Sequence, residues 1–284
     1  MRHYPLLTIC LLFIANVSMA ADVVWFDGID PVTYQVPKEM APVVSVALDM
    51  FSEDLRLVTG QTPKQSAKGT IRIIQHEGGD DGFRIYVRKG HIIIEGNNPR
   101  GTAYGILELS RMAGVSPWVW WGDIVPEHRE RLCLADTFRT EQCPSVTYRG
   151  IFITDEDWSL RKWASKNNIP EQTLGPKTYK AVFQLLLRLR ANTIWPAMHE
   201  GTPGFFTIPG NKQMADSCGI VIGSSHCEPL LRNNVAEWDH QQRGAYNYIT
   251  NRTEVQHYWI ERLQEVKGSE ELFTIGMRGI HDGS

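Results

Sequence analysis

The feature that most constrains this chain is a repeated order of strand, loop and helix that begins after Pro144. Short apolar or β-branched runs at 148–154, 193–195, 219–223 and 272–275 read as strands, with helices expected over 176–190 and 254–266. The first of these helices would turn Val182, Phe183, Leu186, Leu187 and Leu189 inward. Strands alternating with helices imply parallel pairing through right-handed crossovers. The polar residues come directly after each strand: Asp155-Glu156, then Trp195-Pro196-Ala197-Met198-His199, then Ser224-Ser225-His226-Cys227-Glu228, and last Arg278 to Asp282. That is the placement expected at the C-terminal face of a (β/α)8 barrel. An open doubly wound sheet also gathers ligands at that edge, but the chain has neither GxGxxG nor GxxxxGK[ST], which removes the usual nucleotide readings. A barrel cannot close on four strands, so the expectation is the first half of a (β/α)8 TIM barrel, with the remainder downstream of Ser284.

The stretch before Pro144 has a different character. Leu48, Phe51, Leu55 and Val58 recur at helical spacing within 43–58. Runs at 70–76, 83–88 and 91–95 read as strands, and Arg88-Lys89-Gly90-His91 makes a tight turn between the last two. Asn97-Asn98-Pro99 starts a helix over 100–112 that Gly114 ends. The fold class is therefore α/β: a small α/β sandwich at 21–144, with helices on an antiparallel or mixed sheet, followed by the partial barrel at 145–284. Trp118, Trp120 and Trp121 fall between the two. They could offer flat faces to a sugar, but only one or two could meet solvent together, so plugging the joint is the favoured role.

The first 20 residues stand apart. A positively charged start, a largely apolar stretch over 6–17 and the small residues Ser18 and Ala20 at −3 and −1 make a secretory signal peptide. The mature chain is expected to begin near Ala21 and to be exported, periplasmic or extracellular. Export permits disulfides, and Cys133 with Cys143 suits a hairpin-like bridge, whereas Cys218 and Cys227 could equally be buried free thiols. With a formal net charge of −3 and no basic block, a nucleic-acid partner is not expected. Nothing after the first 20 residues is long and apolar enough to span a membrane. Asn251-Arg252-Thr253 is a glycosylation pattern at a helix start, where Asn251 or Thr253 could instead act as a cap.

Hydrolysis of a glycosidic bond needs an acid for the leaving oxygen and a base or nucleophile on the opposite side. Asp155, Glu156, Glu228 and Asp282 supply carboxylates at the strand ends, with His226 and Arg278 beside them. An anionic substrate calls for a guanidinium, which grips a carboxylate in two prongs, and Arg278 fits that role. Plainer roles compete: Asp155 or Asp157 could cap a turn, and Arg278 could sit in a structural ion pair. His226-Cys227-Glu228 matches no zinc-ligand spacing, and no GxSxG elbow supports a triad of Ser225, His226 and Asp282.

The strand-end segments together resemble glycoside hydrolase family 115, the xylan α-1,2-glucuronidases. The resemblance rests on residues 148–158, 191–199, 223–234 and 274–282, with 98–106 and Trp118 to Trp121 resembling an accessory domain found before the barrel in sugar-processing enzymes. It implies removal of glucuronic or 4-O-methylglucuronic acid from glucuronoxylan by an inverting mechanism, with no cofactor. It further implies Asp282 and Asp155 as catalytic residues, Asp282 positioning water. Arg278, His226, Glu156, Trp195, His199, Glu228 and Asn233 are implied as substrate contacts, with the general acid on a later strand. A homodimer of the full-length parent stays open. Thr154 stands where the family often has Asn, and Cys227 where it often has a second His, which alters one substrate hydrogen bond and the packing behind the pocket. The rival reading is a non-catalytic carbohydrate-binding or assembly module built from the first domain.

Overall fold

The computed structural model of the protein describes residues 22–153, 157–166, 174–199, 202–276 and 279–281. The expected signal peptide lies outside these residues, as do the site candidates Asp155, Glu156, Arg278 and Asp282. In chain order the first region contains β1 (Val23–Phe26), β2 (Thr33–Gln35), α1 (Pro42–Thr59), β3 (Lys64–Gln65), β4 (Ile71–Gln75), β5 (Phe83–Arg88) and β6 (His91–Gly96). It continues with α2 (Pro99–Met112), β7 (Leu132–Leu134) and β8 (Arg139–Gln142). The second region contains β9 (Gly150–Phe152), α3 (Leu160–Lys166), α4 (Pro176–Arg188), β10 (Thr193–Trp195), α5 (Asn211–Ser217) and β11 (Val221–Ile222). It ends with α6 (Asn234–Glu237), α7 (His240–Arg243) and α8 (Arg252–Glu265).

A six-stranded sheet in the order β3-β2-β4-β6-β5-β8 carries the first region, and it is mixed: β2, β3, β4 and β6 run parallel, while β5 pairs antiparallel with β6 and β8. The expected hairpin is present, with Arg88 opposite His91. Its two-residue turn holds Lys89 at φ 49° and Gly90 at φ 73°, the double left-handed backbone that matches strand twist. β1 and β7 form a separate antiparallel ribbon. Helix α2 starts as the sequence implies: Asn98 accepts a hydrogen bond from the Gly101 N–H and Pro99 takes the first turn. Its residues from Gly101 to Ser110 are all buried, because α2 lies between the sheet and α4, while α1 packs beside it and against α5. One hydrophobic core therefore runs from Val23 to Ile222 through both regions.

β9, β10 and β11 pair in parallel in the order β11-β10-β9, as the alternating pattern requires. Three expectations are corrected here. The third strand shrinks to Val221–Ile222, since Gly219 sits at φ 62°, outside any strand. The fourth, expected at 272–275, is reduced to a parallel bridge between Ile222 and Glu271 plus a hydrogen bond from the Leu272 N–H to the Ile222 carbonyl (3.0 Å). Leu189 lies past the end of α4 and is 42% exposed, whereas Val182, Phe183, Leu186 and Leu187 are buried as expected. The Cys133–Cys143 bridge is also corrected. Cys133 pairs with Val24 across the β1–β7 ribbon, Cys143 follows β8 in the other sheet, and both thiols are free. Cys218 and Cys227 are free and buried.

The two regions meet through buried charge. Asp81 accepts hydrogen bonds from Asn98 Nδ2 (2.9 Å), Arg100 Nε (3.0 Å), Arg149 Nη2 (2.7 Å) and Asn192 Nδ2 (2.8 Å). Arg149 and Asn192 immediately precede β9 and β10, so one carboxylate locates the start of both strands. Asp54 on α1 grips Arg188 on α4 through two contacts of 2.8 Å. The Tyr104 hydroxyl of α2 donates to the Ala191 carbonyl (3.0 Å), and Glu108 pairs with Arg190. Trp120 and Trp121 stack on each other and reach Trp163 of α3, with centroids 4.6 Å apart for Trp121 and Trp163. That is the joint-plugging role; Trp118 stays 46% exposed.

Two buried carboxyls have opposite linkage to pH. Burial raises the Asp81 pKa, but hydrogen bonds from Asn98 and Arg149 and the charge of Arg100 outweigh it, leaving it below the usual range. Its stabilisation is therefore complete above the unfolded pKa of about 3.9 and is lost as pH falls through the lower folded value. Asp81→Ala strips the acceptor from two guanidiniums and two amides and should cost about 3–5 kcal/mol in urea denaturation. Glu271 behaves the other way: burial pushes its carboxyl up to about 7, against a hydrogen bond from the Ile222 N–H and the charge of Lys212. The native state then holds a proton that the unfolded chain releases near pH 4.3, at about the ordinary Glu value, so stability declines between that pH and about 7. Glu271→Gln should flatten this decline and raise the urea midpoint at pH 8; an unchanged pH slope would refute the assignment.

Candidate functional site

The site is the edge formed by the C-terminal ends of β9, β10 and β11. Trp195 closes β10 in register with Phe152 of β9, and the two rings meet edge-on with centroids 5.4 Å apart. The indole lies directly over Gly223, where an added Cβ would come within 2.4 Å of the ring. Only glycine permits that approach. Beyond Trp195 the chain turns inward: the Ala197 N–H donates to the Tyr179 hydroxyl (3.2 Å), and His199 Nδ1 stands 3.5 Å from Asp157 Oδ2.

The segment after β11 is tightly held. Ser224 Oγ donates to the Glu228 carbonyl (2.7 Å), Ser225 Oγ lies 3.3 Å from Cys227 Sγ, and Asn234 Nδ2 donates to the Cys227 carbonyl (3.1 Å). Ser225 is fully buried, while His226 is exposed between its buried neighbours. Leu230 and Leu231 follow at φ 52° and φ 63°, a left-handed pair of leucines costing on the order of 1–3 kcal/mol each. The Leu230 N–H donates to the Thr274 carbonyl (2.8 Å) and Thr274 Oγ1 to the Ser224 carbonyl (2.9 Å), which ties the fourth segment to this edge and offsets the strain.

Below the edge lies a charged cluster that the sequence did not signal. Glu237 Oε2 meets Arg232 Nη1 (2.7 Å) and Arg262 Nη2 (2.6 Å), and its Oε1 accepts from the Asn233 N–H (2.9 Å). Arg262 is 2% exposed, burial lowers its pKa, and it rests 4.2 Å over the Phe206 ring. Arg232 lies 4.1 Å over the Tyr258 ring. Arg262 on α8 recurs among polar residues, so periodicity marks it as a solvated charge; only the packing of α8 against the Pro229–Leu231 turn reveals otherwise. A cavity of about 20 Å³, room for roughly one water, lies between Pro196, Phe205, Gly223, Glu228, Asn233 and Glu237. These residues form the wall behind the edge.

Of the substrate contacts expected from sequence, Trp195, His199, His226, Glu228 and Asn233 are described, and all lie at this edge. Trp195 and His226 are exposed, His199 is half-buried, and Glu228 and Asn233 are buried. Asn233 Oδ1 caps α6 by accepting from the Ala236 N–H (3.1 Å), and its Nδ2 reaches the Met198 carbonyl (3.4 Å). Asp155, Glu156, Arg278 and Asp282 lie outside the described residues, so no distance to them enters the geometry. Among the described residues no cluster of His, Cys, Asp and Glu could hold a metal ion. No described helix is long and apolar enough to cross a membrane. At the glycosylation pattern, Asn251 occupies the cap position of α8, but its Nδ2 donates to the carbonyls of Arg243 (2.6 Å) and Ala245 (2.9 Å) rather than its oxygen capping the helix.

A mixed α/β layer ahead of parallel strands with polar residues at their ends is an arrangement shared with carbohydrate-cleaving enzymes. Two structures of a Streptomyces plicatus β-hexosaminidase, the D313N and D313A mutants with GlcNAc product, superpose with a TM-score of 0.51 over 76% of this chain and 45% of theirs. Their 17% and 16% identity carries the likeness no further than the fold. A 4-O-methyl-α-glucuronidase of family GH115, BtGH115A, described as specific for decorated arabinogalactans, is far more similar. It shares 43% identity with a TM-score of 0.87 over 93% of this chain and 37% of its own. The family profile of glycosyl hydrolase family 115 matches residues 141–284. The chain belongs to glycoside hydrolase family 115 and spans a little over a third of that enzyme's length. No curated protein sequence matches it.

Glu237 is the one carboxylate shared by two buried guanidiniums at the wall. Glu237→Ala should cost about 3 kcal/mol in urea denaturation, because it removes the one carboxylate buried between Arg232 and Arg262 and leaves them only the half-exposed Glu261 (3.2 Å) and Glu265 (3.1 Å). A loss below about 1 kcal/mol would show the cluster to be solvated and energetically idle.

Proposed function

We propose that this chain contributes the first half of the barrel, and much of the uronic-acid pocket, of an inverting α-glucuronidase acting on a decorated plant polysaccharide. The observation that carries the proposal is the gathering of Trp195, His199, His226 and Glu228 beyond successive parallel strands in a member of family 115. Exposure on both faces of β9 supports the half-barrel: Ile151 is 46% exposed on one side, Phe152 37% on the other, and Trp195 beside Phe152 39%. A first barrel strand whose eighth neighbour is supplied elsewhere has this pattern. Division into 21–144 and 145–284 belongs to the same proposal, as does export.

The chemistry follows from the bond. An inverting enzyme places a base on the water side of the sugar and an acid at the leaving oxygen, with carboxyls about 6.5–9.5 Å apart to admit water. Asp282 takes the water, Asp155 holds the sugar close to it, and Arg278 pairs with the uronic carboxylate through two parallel hydrogen bonds. His226, exposed at the end of β11, donates to a sugar hydroxyl, with Glu156, Trp195, His199, Glu228 and Asn233 shaping the pocket. The general acid comes from a later strand, a reading supported by the chain's 37% share of BtGH115A. Stacking of Trp120 and Trp121 on Trp163 favours this reading over a free-standing carbohydrate-binding module.

Glucuronoxylan is the polymer the sequence motifs suggest, and BtGH115A's described specificity makes decorated arabinogalactan the alternative. The test is release of glucuronic or 4-O-methylglucuronic acid from each polymer, followed by NMR of the first-formed anomer. The full-length parent should release the β-anomer from one of them, Asp282→Ala should abolish release, and the 284-residue chain alone should release none. Turnover by the chain alone would refute the half-barrel, and a first-formed α-anomer would refute inversion.

A further inference from the structure

Trp158 is the most exposed of the chain's described tryptophans. Trp25 and Trp238 are buried, Trp120, Trp121 and Trp163 stack together, and Trp118 and Trp195 are 46% and 39% exposed, yet Trp158 is 80% exposed. A free indole leaves much of an apolar face of 150–250 Å² in water, about the largest such cost a single side chain can impose. It stands in the turn between β9 and α3, on the same C-terminal side as the proposed pocket.

The turn that carries it is braced on both sides. Asp157 Oδ1 pairs with Arg161 Nη2 (2.7 Å), and Asp157 Oδ2 lies 3.5 Å from His199 Nδ1, in the segment after β10. Arg161 also donates to Thr202 Oγ1, and the Trp163 N–H donates to the Ser159 carbonyl (2.8 Å). The contacts with His199 and Thr202 tie the rim of β9 to the rim of β10. Residues 157–161 at the exposed indole are thus tied to the neighbouring segment, and the side chain has only two torsions left to order.

We propose that Trp158 is a stacking platform for a neutral pyranose of the polymer main chain, next to the pocket that takes the charged side-chain sugar. The inference rests on the α-glucuronidase reading and adds to it where the backbone of the substrate lies. A pyranose turns a patch of C–H groups toward one face, and the electron-rich indole face attracts their positive hydrogens while both lose water. The indole carries no charge and cannot compete for the uronic carboxylate. Trp158 is therefore a binding and specificity residue, outside the reacting centre.

The test is affinity electrophoresis of the 284-residue protein in gels containing glucuronoxylan or decorated arabinogalactan. Wild type should be retarded by one polymer, Trp158→Ala should bind it on the order of tenfold more weakly, and Trp158→Phe should recover most of the loss. Because the side chain is exposed, the thermal midpoint of each variant should match wild type, separating lost binding from lost folding. Retardation of Trp158→Ala equal to wild type would overturn the platform and leave the glucuronidase reading intact. Retardation of wild type by neither polymer would overturn the platform as well, whereas the glucuronidase reading stands or falls on uronic acid release by the parent enzyme.

Discussion

Asp81 is the contact on which the rest of the arrangement depends. It sits between β4 and β5, in a loop that by itself belongs to the first sheet, yet two of its four donors, Arg149 and Asn192, immediately precede β9 and β10. The other two, Asn98 and Arg100, belong to the start of α2. A carboxylate this buried persists as an ion only because every lone pair is met, and meeting them fixes three elements relative to one another. Through Asn192 the bonding continues, since its Oδ1 accepts from the Arg149 N–H (2.9 Å) and Thr193 Oγ1 (2.8 Å). The first region therefore acts as the mount that sets where the strand ends of the second emerge.

The same economy recurs at the site. The left-handed leucines at 230 and 231, the Thr274 bonds and the Glu237 cluster all lie just behind the exposed groups. None of them would touch a sugar bound in front of the wall. Their combined effect is to let His226 and Trp195 face solvent from a backbone with little freedom to move, and groups already in place lose less freedom when a ligand binds.

Much of the fold was legible in sequence because it follows from local rules. The Lys89-Gly90 turn, the Asn98 cap with Pro99 behind it, and helix α4 depend on neighbours within a few residues, and each falls within one or two residues of its expected place. The misreadings of the cysteine bridge and the fourth strand share one cause, which is dependence on a distant partner, whereas that of Leu189 is local. Cys133 and Cys143 are close in sequence, but their strands join different sheets. Leu189 continues the apolar period of α4, but the helix has ended beneath it. The fourth strand has the right composition, yet its pairing reduces to one bridge with Ile222.

The sequence by itself determined the alternation of strands and helices, the parallel pairing this forces, and the family, because strand-end motifs such as Trp195 to His199 are local and specific. Tertiary structure decided which charges are buried. Asp81, Asp54, Glu237, Glu271 and Arg262 read as ordinary surface residues, since ionisable groups are normally solvated and periodicity gives no reason to place them inside. Asp54 and Asp81 lose water and acquire partners only when the two regions close on one another, and Glu237, Glu271 and Arg262 only when α8 and the segments after β10 and β11 pack together, and those contacts set the geometry of the strand ends.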